Sequence, residues 1–162
     1  MVTARADSRR ERHRIRETAL QLLYQWEVAA IAIDEADDAD DADDALALFW
    51  STHPAPKTRQ AGALRLARGT VGALPTIDPL IESHAEHWRP ERMAVIDRLI
   101  MRLAIYEMLV ERMPPAVAID EALELARTFS GEEAVRFING VLDAVRRDAV
   151  GAVTVEDAAD SE

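Results

Sequence analysis

An arginine-rich run near the start of the chain is the strongest chemical feature of the sequence. Residues 5–16 hold six arginines against two acidic residues, a net charge of +4. Clustered guanidinium groups neutralise phosphates and can stack on or fork to unpaired bases, so the run indicates nucleic-acid binding. A solvated helix face, or a face that meets an acidic protein, is the alternative. The candidate RNA-binding residues here are Arg9, Arg10, Arg12, Arg14 and Arg16.

The spacing within this run predicts a face that is wet or bound. In the helix predicted for residues 9–31, Arg9, Arg12 and Arg16 lie at i, i+3 and i+7 and therefore on one side. They cannot all belong to the buried apolar stripe. Cations are also mildly unfavourable at a helix N-terminus, which favours a functional reason for the cluster over a stabilising one.

Phe137 is the second candidate for binding. It precedes Ile138 at the edge of the apolar stripe of a predicted helix over 134–148, next to Arg136. A partly exposed ring there would offer a stacking platform for a base, whereas the spacing alone favours a ring that completes the core. Asn139 and Gly140 interrupt the same helix, where a glycine costs roughly 1 kcal/mol relative to alanine. A close contact with another helix is the simplest explanation.

Enzymatic functions find little support. The chain has no Gly-rich phosphate loop, no Gly-x-Ser-x-Gly motif, no His-Glu-x-x-His motif and no cysteine. His84 and His87 share a helix face but lack further ligands, so an exposed polar face is preferred to a metal site. Ser130 and Glu133 match a helix capping box, which explains the serine without a catalytic role. We therefore predict no catalytic residue, no metal and no cofactor.

The charge of the chain is segregated. The formal net charge is −11, but residues 34–44 carry −8 and the last seven residues carry −4, which leaves the remainder close to neutral. Like charge with few apolar side chains predicts a solvated loop over 34–45, a flexible start over 1–8 and a disordered acidic tail over 149–162. No apolar run is long enough to cross a membrane, so a soluble, cytoplasmic protein is expected.

Helical spacing dominates the rest of the chain, and no stretch alternates apolar and polar residues as a strand would. A predicted N-cap at Asp78 with Pro79 in the first turn starts one of these helices. The sequence predicts an all-α fold, a helical bundle in two packed halves within one domain over 9–148. The predicted helices cover residues 9–31, 46–50, 58–73, 79–88, 95–112, 117–129 and 134–148.

Four ordered segments resemble the NusB family of transcription antitermination factors. They are RIRETALQLLYQW at 14–26, a central region from Ile77 to Trp88 that continues through Arg92 to YE at 106–107, VAIDEA at 117–122 and FINGVLD at 137–143. The resemblance runs from residue 9 to residue 147 and leaves out the acidic segment. Together the four segments are far more specific than any one of them.

The resemblance implies two helical subdomains and binding of single-stranded boxA RNA together with the ribosomal protein NusE. It also implies a place in the antitermination complex on RNA polymerase during ribosomal RNA transcription, and it leaves a homodimer open. By position it assigns RNA binding to the arginine run, Arg136 and Phe137. It assigns partner binding to Tyr24, Asp97, Arg102 and Glu133.

Each transferred residue has a simpler alternative. Glu133 would only cap a helix, Asp97 and Arg102 would form a surface pair within one helix, and Tyr24 would pack beside Leu20. Two other functions stay open for the whole chain. One is a helical protein adaptor without specific RNA binding. The other is an RNA-binding module related to the N-terminal domain of an rRNA methyltransferase, although the chain is expected to leave no room for a nucleotide-cofactor fold.

Overall fold

The computed structural model describes residues 2–29, 31, 33, 39–85 and 93–150, and every regular element within these ranges is helical. The predicted all-α class is confirmed. Two compact units divide the chain, one over residues 1–72 and the other over 73–162. In chain order the helices are α1 (Val2–Ala29), α2 (Ala39–Thr52), α3 (Lys57–Gly72), α4 (Leu74–His84), α5 (Val95–Leu109), α6 (Pro115–Phe129) and α7 (Glu132–Val145).

The first unit is built on the packing of α1 against α3. The two helices approach closely at Gly62, where an added Cβ atom would lie 3.3 Å from the side chain of Ile15. Absence of a side chain at Gly62 therefore sets the distance between the helices at this point. The apolar stripes that meet in this unit are almost fully buried, and they include Ala19, Leu22 and Leu23 on α1 and Ala63, Leu66 and Ala67 on α3.

Helix α1 begins at Val2, so the predicted flexible start over 1–8 is wrong for residues 2–8. No glycine or proline occurs between residues 2 and 29, and alanine and arginine are among the best helix formers. The helix therefore continues outward past the last packed turn, and the side chains from Thr3 to Arg10 are exposed.

Helix α2 begins at Ala39, so the predicted loop over 34–45 is wrong for residues 39–45, while residues 34–38 lie outside the described ranges. Acidic residues in the first turns of a helix are favoured by its dipole, and alanine has the highest helix propensity. Further along α2, Phe49 is buried and its ring stacks on His53. The acidic residues from Asp40 to Asp44, which contributed to the predicted loop, thus lie in the first turns of α2, where the helix dipole favours negative charge.

The second unit surrounds α5, which packs against α4, α6 and α7. Every side chain from Arg98 to Met108 is buried, as expected of the central helix. Helix α7 buries Val135, Ile138, Val141, Leu142 and Val145 on one side, and this apolar stripe confirms the predicted spacing. The chain then continues as a π-helical segment, Arg146–Val150.

Two predicted helix starts are wrong. Helix α4 begins at Leu74 with Pro75 in its first turn, and Pro79 lies inside it. Ile77 and Ile81, two residues before and after Pro79, are both buried, so the helical packing continues across this proline. Helix α7 is capped by Gly131 without a side-chain hydrogen bond, so the predicted capping box does not form. Trp88 and Arg92, which carry part of the family resemblance, lie outside the described residues.

Candidate nucleic-acid interface

The arginines of α1 divide into an exposed group and one buried residue. Arg9, Arg10, Arg12 and Arg14 are exposed, whereas Arg16 is only 5% exposed. The predicted wet face is therefore wrong for Arg16. The described side chains of α1 before residue 15 are exposed or half-buried, whereas most of those from Arg16 to Leu23 are buried. A residue in line with Arg9 and Arg12 therefore loses its exposure at position 16.

The exposed arginines keep their charge available. Within the described part of the chain, no side-chain hydrogen bond or ion pair engages Arg9, Arg10, Arg12 or Arg14. A surface arginine without an internal partner loses less on meeting a phosphate than one that must first break an ion pair. These four side chains form what we call the arginine surface.

The acidic residue inside this run is held elsewhere. Arg59 on α3 donates two hydrogen bonds to Glu11, from Nε to Oε1 over 2.8 Å and from Nη2 to Oε2 over 2.9 Å. The hydrogen bond from Arg59 lowers the pKa of the Glu11 carboxyl, with a smaller contribution from the charge of Arg14, and Glu11 in turn raises the pKa of Arg59. Arg59 therefore offsets the one negative charge between Arg9 and Arg14 while it fastens α1 to α3.

The surface of α7 around Phe137 is open. Phe137 is 40% exposed, and Arg136, Asn139 and Glu133 are exposed as well. The predicted partly exposed ring is confirmed, and the alternative in which Phe137 completes the core is wrong. Gly140 is also exposed, and an added Cβ would meet nothing within 4 Å in the described part of the chain, so the close contact predicted there with another helix is wrong among these helices.

The residues assigned to partner binding have different environments. Tyr24 is 40% exposed and lies one turn before Val28, which is 58% exposed. Arg102 is 9% exposed and donates two hydrogen bonds to Asp78 on α4, so the predicted surface pair between Asp97 and Arg102 is wrong. The Oδ1 atom of Asp97 is buried and has no hydrogen-bond partner among the described residues.

His84 has an internal partner. Its Nε2 atom lies 3.0 Å from Oδ2 of Asp148 in the π-helical segment, and His87 falls outside the described residues. Of the two histidines considered as a metal site, only His84 lies in the described part of the chain, and its ring already contacts a carboxylate. Within the described ranges no three or more candidate metal-binding side chains come together.

Sequence reasoning missed the pairing roles of Arg59 and Asp78. Arg59 pairs with a residue 48 positions away and Asp78 with one 24 positions away, so no local pattern reports either contact. The arginine surface belongs to the first unit, and Phe137 with its neighbours belongs to the second.

A family model identifies the chain. The model of the NusB family matches residues 13–147. The chain belongs to the NusB family. Arg14, Tyr24 and Phe137 fall within the matched region, whereas Arg9, Arg10 and Arg12 precede it, so the case for these three rests on charge and exposure.

Individual NusB proteins agree with the family model. The transcription antitermination protein NusB of Solibacter usitatus (strain Ellin6076) is 47% identical over 137 residues, which cover 85% of this chain and 89% of the relative. The solved structure of T. maritima NusB has a TM-score of 0.68 and 33% identity, covering 85% of this chain and 91% of that one. A structure of antitermination factors NusB and NusE in complex with dsRNA matches with a TM-score of 0.67, and the match covers 85% of this chain and 97% of the matched chain. At 23% identity this last structure shows the fold alone.

The described helices include none long and apolar enough to span a bilayer.

Proposed function

We propose that this NusB family member acts in transcription antitermination by binding a boxA-type single-stranded RNA together with the ribosomal protein NusE. The observation that carries the proposal is the arginine surface of α1, four exposed guanidinium groups with no hydrogen bond or ion pair to another described side chain. We place the protein in the bacterial cytoplasm, in the antitermination complex on RNA polymerase. The role is binding, and it makes and breaks no covalent bond.

The arginine surface supplies the affinity for the RNA backbone. Each guanidinium that contacts a phosphate releases counterions, and the planar fork can also hydrogen-bond to or stack on an unpaired base. Arg16 takes no direct part in this proposal because its side chain is buried. The pairing of Glu11 with Arg59 supports the proposal, since it offsets the negative charge nearest to the phosphates.

Phe137 supplies a second contact, which is made to a base and not to the RNA backbone. Aromatic rings stack on every base, and exposed amides such as that of Asn139 can read a base edge in unstacked RNA. Arg136 beside the ring adds a positive charge for the adjoining phosphate. Single-stranded RNA is favoured over duplex because stacking on Phe137 requires a base that is not already paired within a helix.

The exposed pair Tyr24 and Val28 supplies the surface for NusE. An aromatic ring with a neighbouring aliphatic side chain is the kind of anchor that protein interfaces use. We assign Arg102 no direct contact with NusE, because its side chain is buried and its hydrogen bonds to Asp78 join α5 to α4 within the second unit. Because coupling between two binding sites is reciprocal, NusE and RNA should raise each other's affinity by the same factor.

The first experiment measures binding of a fluorescent boxA-type RNA and of a scrambled RNA of equal length, each with and without NusE. Selective binding that NusE strengthens is expected, and Arg12→Ala and Phe137→Ala should weaken it. Arg127→Ala is the matched control, because Arg127 is an exposed arginine on α6 outside the proposed surfaces. Equal weak binding to both RNAs under every condition would replace the proposal with a protein adaptor. A duplex RNA arm distinguishes stacking on unpaired bases from binding of a helical backbone.

A further inference from the structure

Gly140 occupies the middle of the exposed side of α7 without a structural reason. The helix runs from Glu132 to Val145, and its buried residues all lie on the other side. Glycine weakens the interior of a helix relative to alanine, because it has more backbone freedom to lose on folding. A position that carries this cost calls for an explanation in packing, in backbone conformation or in binding.

Packing and backbone conformation do not explain it. A Cβ atom added to Gly140 would meet none of the described residues within 4 Å, in contrast to Gly62, where it would press on Ile15. Across the described residues no glycine has a positive φ, so Gly140 does not adopt a conformation that other residues avoid. Alanine would fit this position within the chain itself.

The neighbours of Gly140 on the exposed side are those that contact nucleotides well. Arg136 and Phe137 lie one turn before it and Asp143 lies one turn after, and all three are exposed. Residues three and four positions apart are surface neighbours on a helix, so the missing side chain leaves bare backbone beside the ring and the guanidinium. The Asp143 carboxylate lies 4.0 Å from Arg147, which reduces the negative charge next to this surface.

We infer that Gly140 is the point at which one nucleotide of the bound RNA lies directly against the backbone of α7. Its base stacks on Phe137, its phosphate is held by Arg136, and its ribose occupies the space that a side chain at position 140 would fill. The inference rests on the proposed function and adds to it a residue that determines how closely the RNA approaches. Arg136 favours an anionic occupant, and the exposed ring of Phe137 beside it favours one that carries bases over an acidic peptide.

The test is Gly140→Ala, because stability and binding should move in opposite directions. The midpoint of thermal unfolding should rise by about 2–4 °C, as expected for a gain in helix propensity in a chain of this length. Affinity for the fluorescent boxA-type RNA should fall roughly tenfold, the loss expected when a methyl group intrudes into a packed contact. Gly140→Leu should lower the affinity further.

Gly72→Ala is the matched control. Gly72 is also an exposed helical glycine whose added Cβ would meet nothing within 4 Å, but it lies at the end of α3. The control should leave RNA affinity unchanged. A role of Gly140 in folding alone predicts lower stability with Gly140→Ala and no specific effect on RNA.

Two outcomes overturn the inference while leaving the proposed function intact. In the first, Gly140→Ala binds the RNA as tightly as the unaltered protein. In the second, it binds RNA alone normally but binds NusE less tightly, which makes a protein the occupant of this surface. If the unaltered protein does not distinguish boxA-type from scrambled RNA, the proposed function itself fails, which separates that failure from either of these.

Discussion

Arg102 on α5 donates two hydrogen bonds to Asp78 on α4, from Nε to Oδ1 over 2.8 Å and from Nη2 to Oδ2 over 2.9 Å. The arginine side chain is 11% exposed and the aspartate side chain 32% exposed, so the pair lies at the edge of the core. Removing Asp78 deprives the largely buried Arg102 of two charge-assisted hydrogen bonds. We expect Asp78→Ala to lower the free energy of unfolding by about 2 kcal/mol.

Urea unfolding followed by circular dichroism measures this effect. Asp120→Ala is the control, because Asp120 is an exposed acidic residue inside α6 and its loss should change the midpoint little. Equal midpoints for the two variants would contradict a stabilising role for the pair between α4 and α5. A lower midpoint for Asp78→Ala alone would support it.

The elements that follow a single physical pattern could be predicted from the sequence. The spacing of Ile138, Val141 and Leu142 placed the buried side of α7 correctly, because one apolar stripe faces one core. The partial exposure of Phe137 does not follow from this spacing, which favours a ring in the core; it is expected only from the family resemblance.

Features that depend on a competing or distant interaction could not be predicted. Asp78 has the residue type and position of an N-cap, but its carboxylate pairs with Arg102, and the helix starts earlier at Leu74. Arg16 has the spacing of an exposed cation, but it lies where α1 is buried on more sides. Local patterns report what a residue is able to do, and the tertiary fold selects among those roles.

Gly62 and Gly140 should respond in opposite ways to the same substitution. Both gain helix propensity worth about 1 kcal/mol on replacement by alanine. At Gly62 the new methyl group would lie 3.3 Å from Ile15, and overpacking costs about 1–3 kcal/mol, so the net effect should be destabilising. Gly140→Ala should be stabilising, because the space around it is open.

Thermal unfolding of the two variants side by side checks this contrast. Adding Ile15→Val to Gly62→Ala removes Cδ1, one of the two Ile15 atoms that lie 3.3 Å from the new Cβ, and should recover part of the lost stability. Two stabilised glycine variants would contradict the close approach of α1 and α3 at Gly62.

The ion pair between Glu11 and Arg59 should make the first unit sensitive to acid. Arg59 lowers the pKa of the Glu11 carboxyl in the folded protein, so the pair contributes its stability above about pH 4.5, the ordinary value for glutamate. That contribution is lost as the pH falls through the lowered folded value. Glu11→Gln should therefore be less stable than the unaltered protein at pH 7, and the difference should shrink as the pH is lowered below 4.5.

Denaturant midpoints at several pH values measure the difference between the two proteins. Glu124→Gln is the control, because Glu124 is an exposed glutamate on α6, and its difference from the unaltered protein should not depend on pH in this way. A difference for Glu11→Gln that persists unchanged to pH 3 would mean that the carboxylate charge is not the source of the stability.

The salt dependence of RNA binding tests whether the arginine surface contacts phosphates. For single-stranded nucleic acid, each neutralised phosphate contributes roughly 0.7 to the slope of log K against log salt concentration. Arg12→Ala should therefore reduce that slope by about 0.7 and weaken binding to boxA-type and scrambled RNA by similar factors, because a phosphate contact carries no sequence information. Arg127→Ala, which removes an exposed arginine from α6, should leave the slope unchanged.

If Arg12→Ala leaves the slope as it was, the exposed guanidinium of Arg12 does not meet a phosphate. If it weakens the binding of boxA-type RNA selectively, the side chain reads a base, and the forked geometry of arginine would then explain selectivity in the N-terminal half of α1.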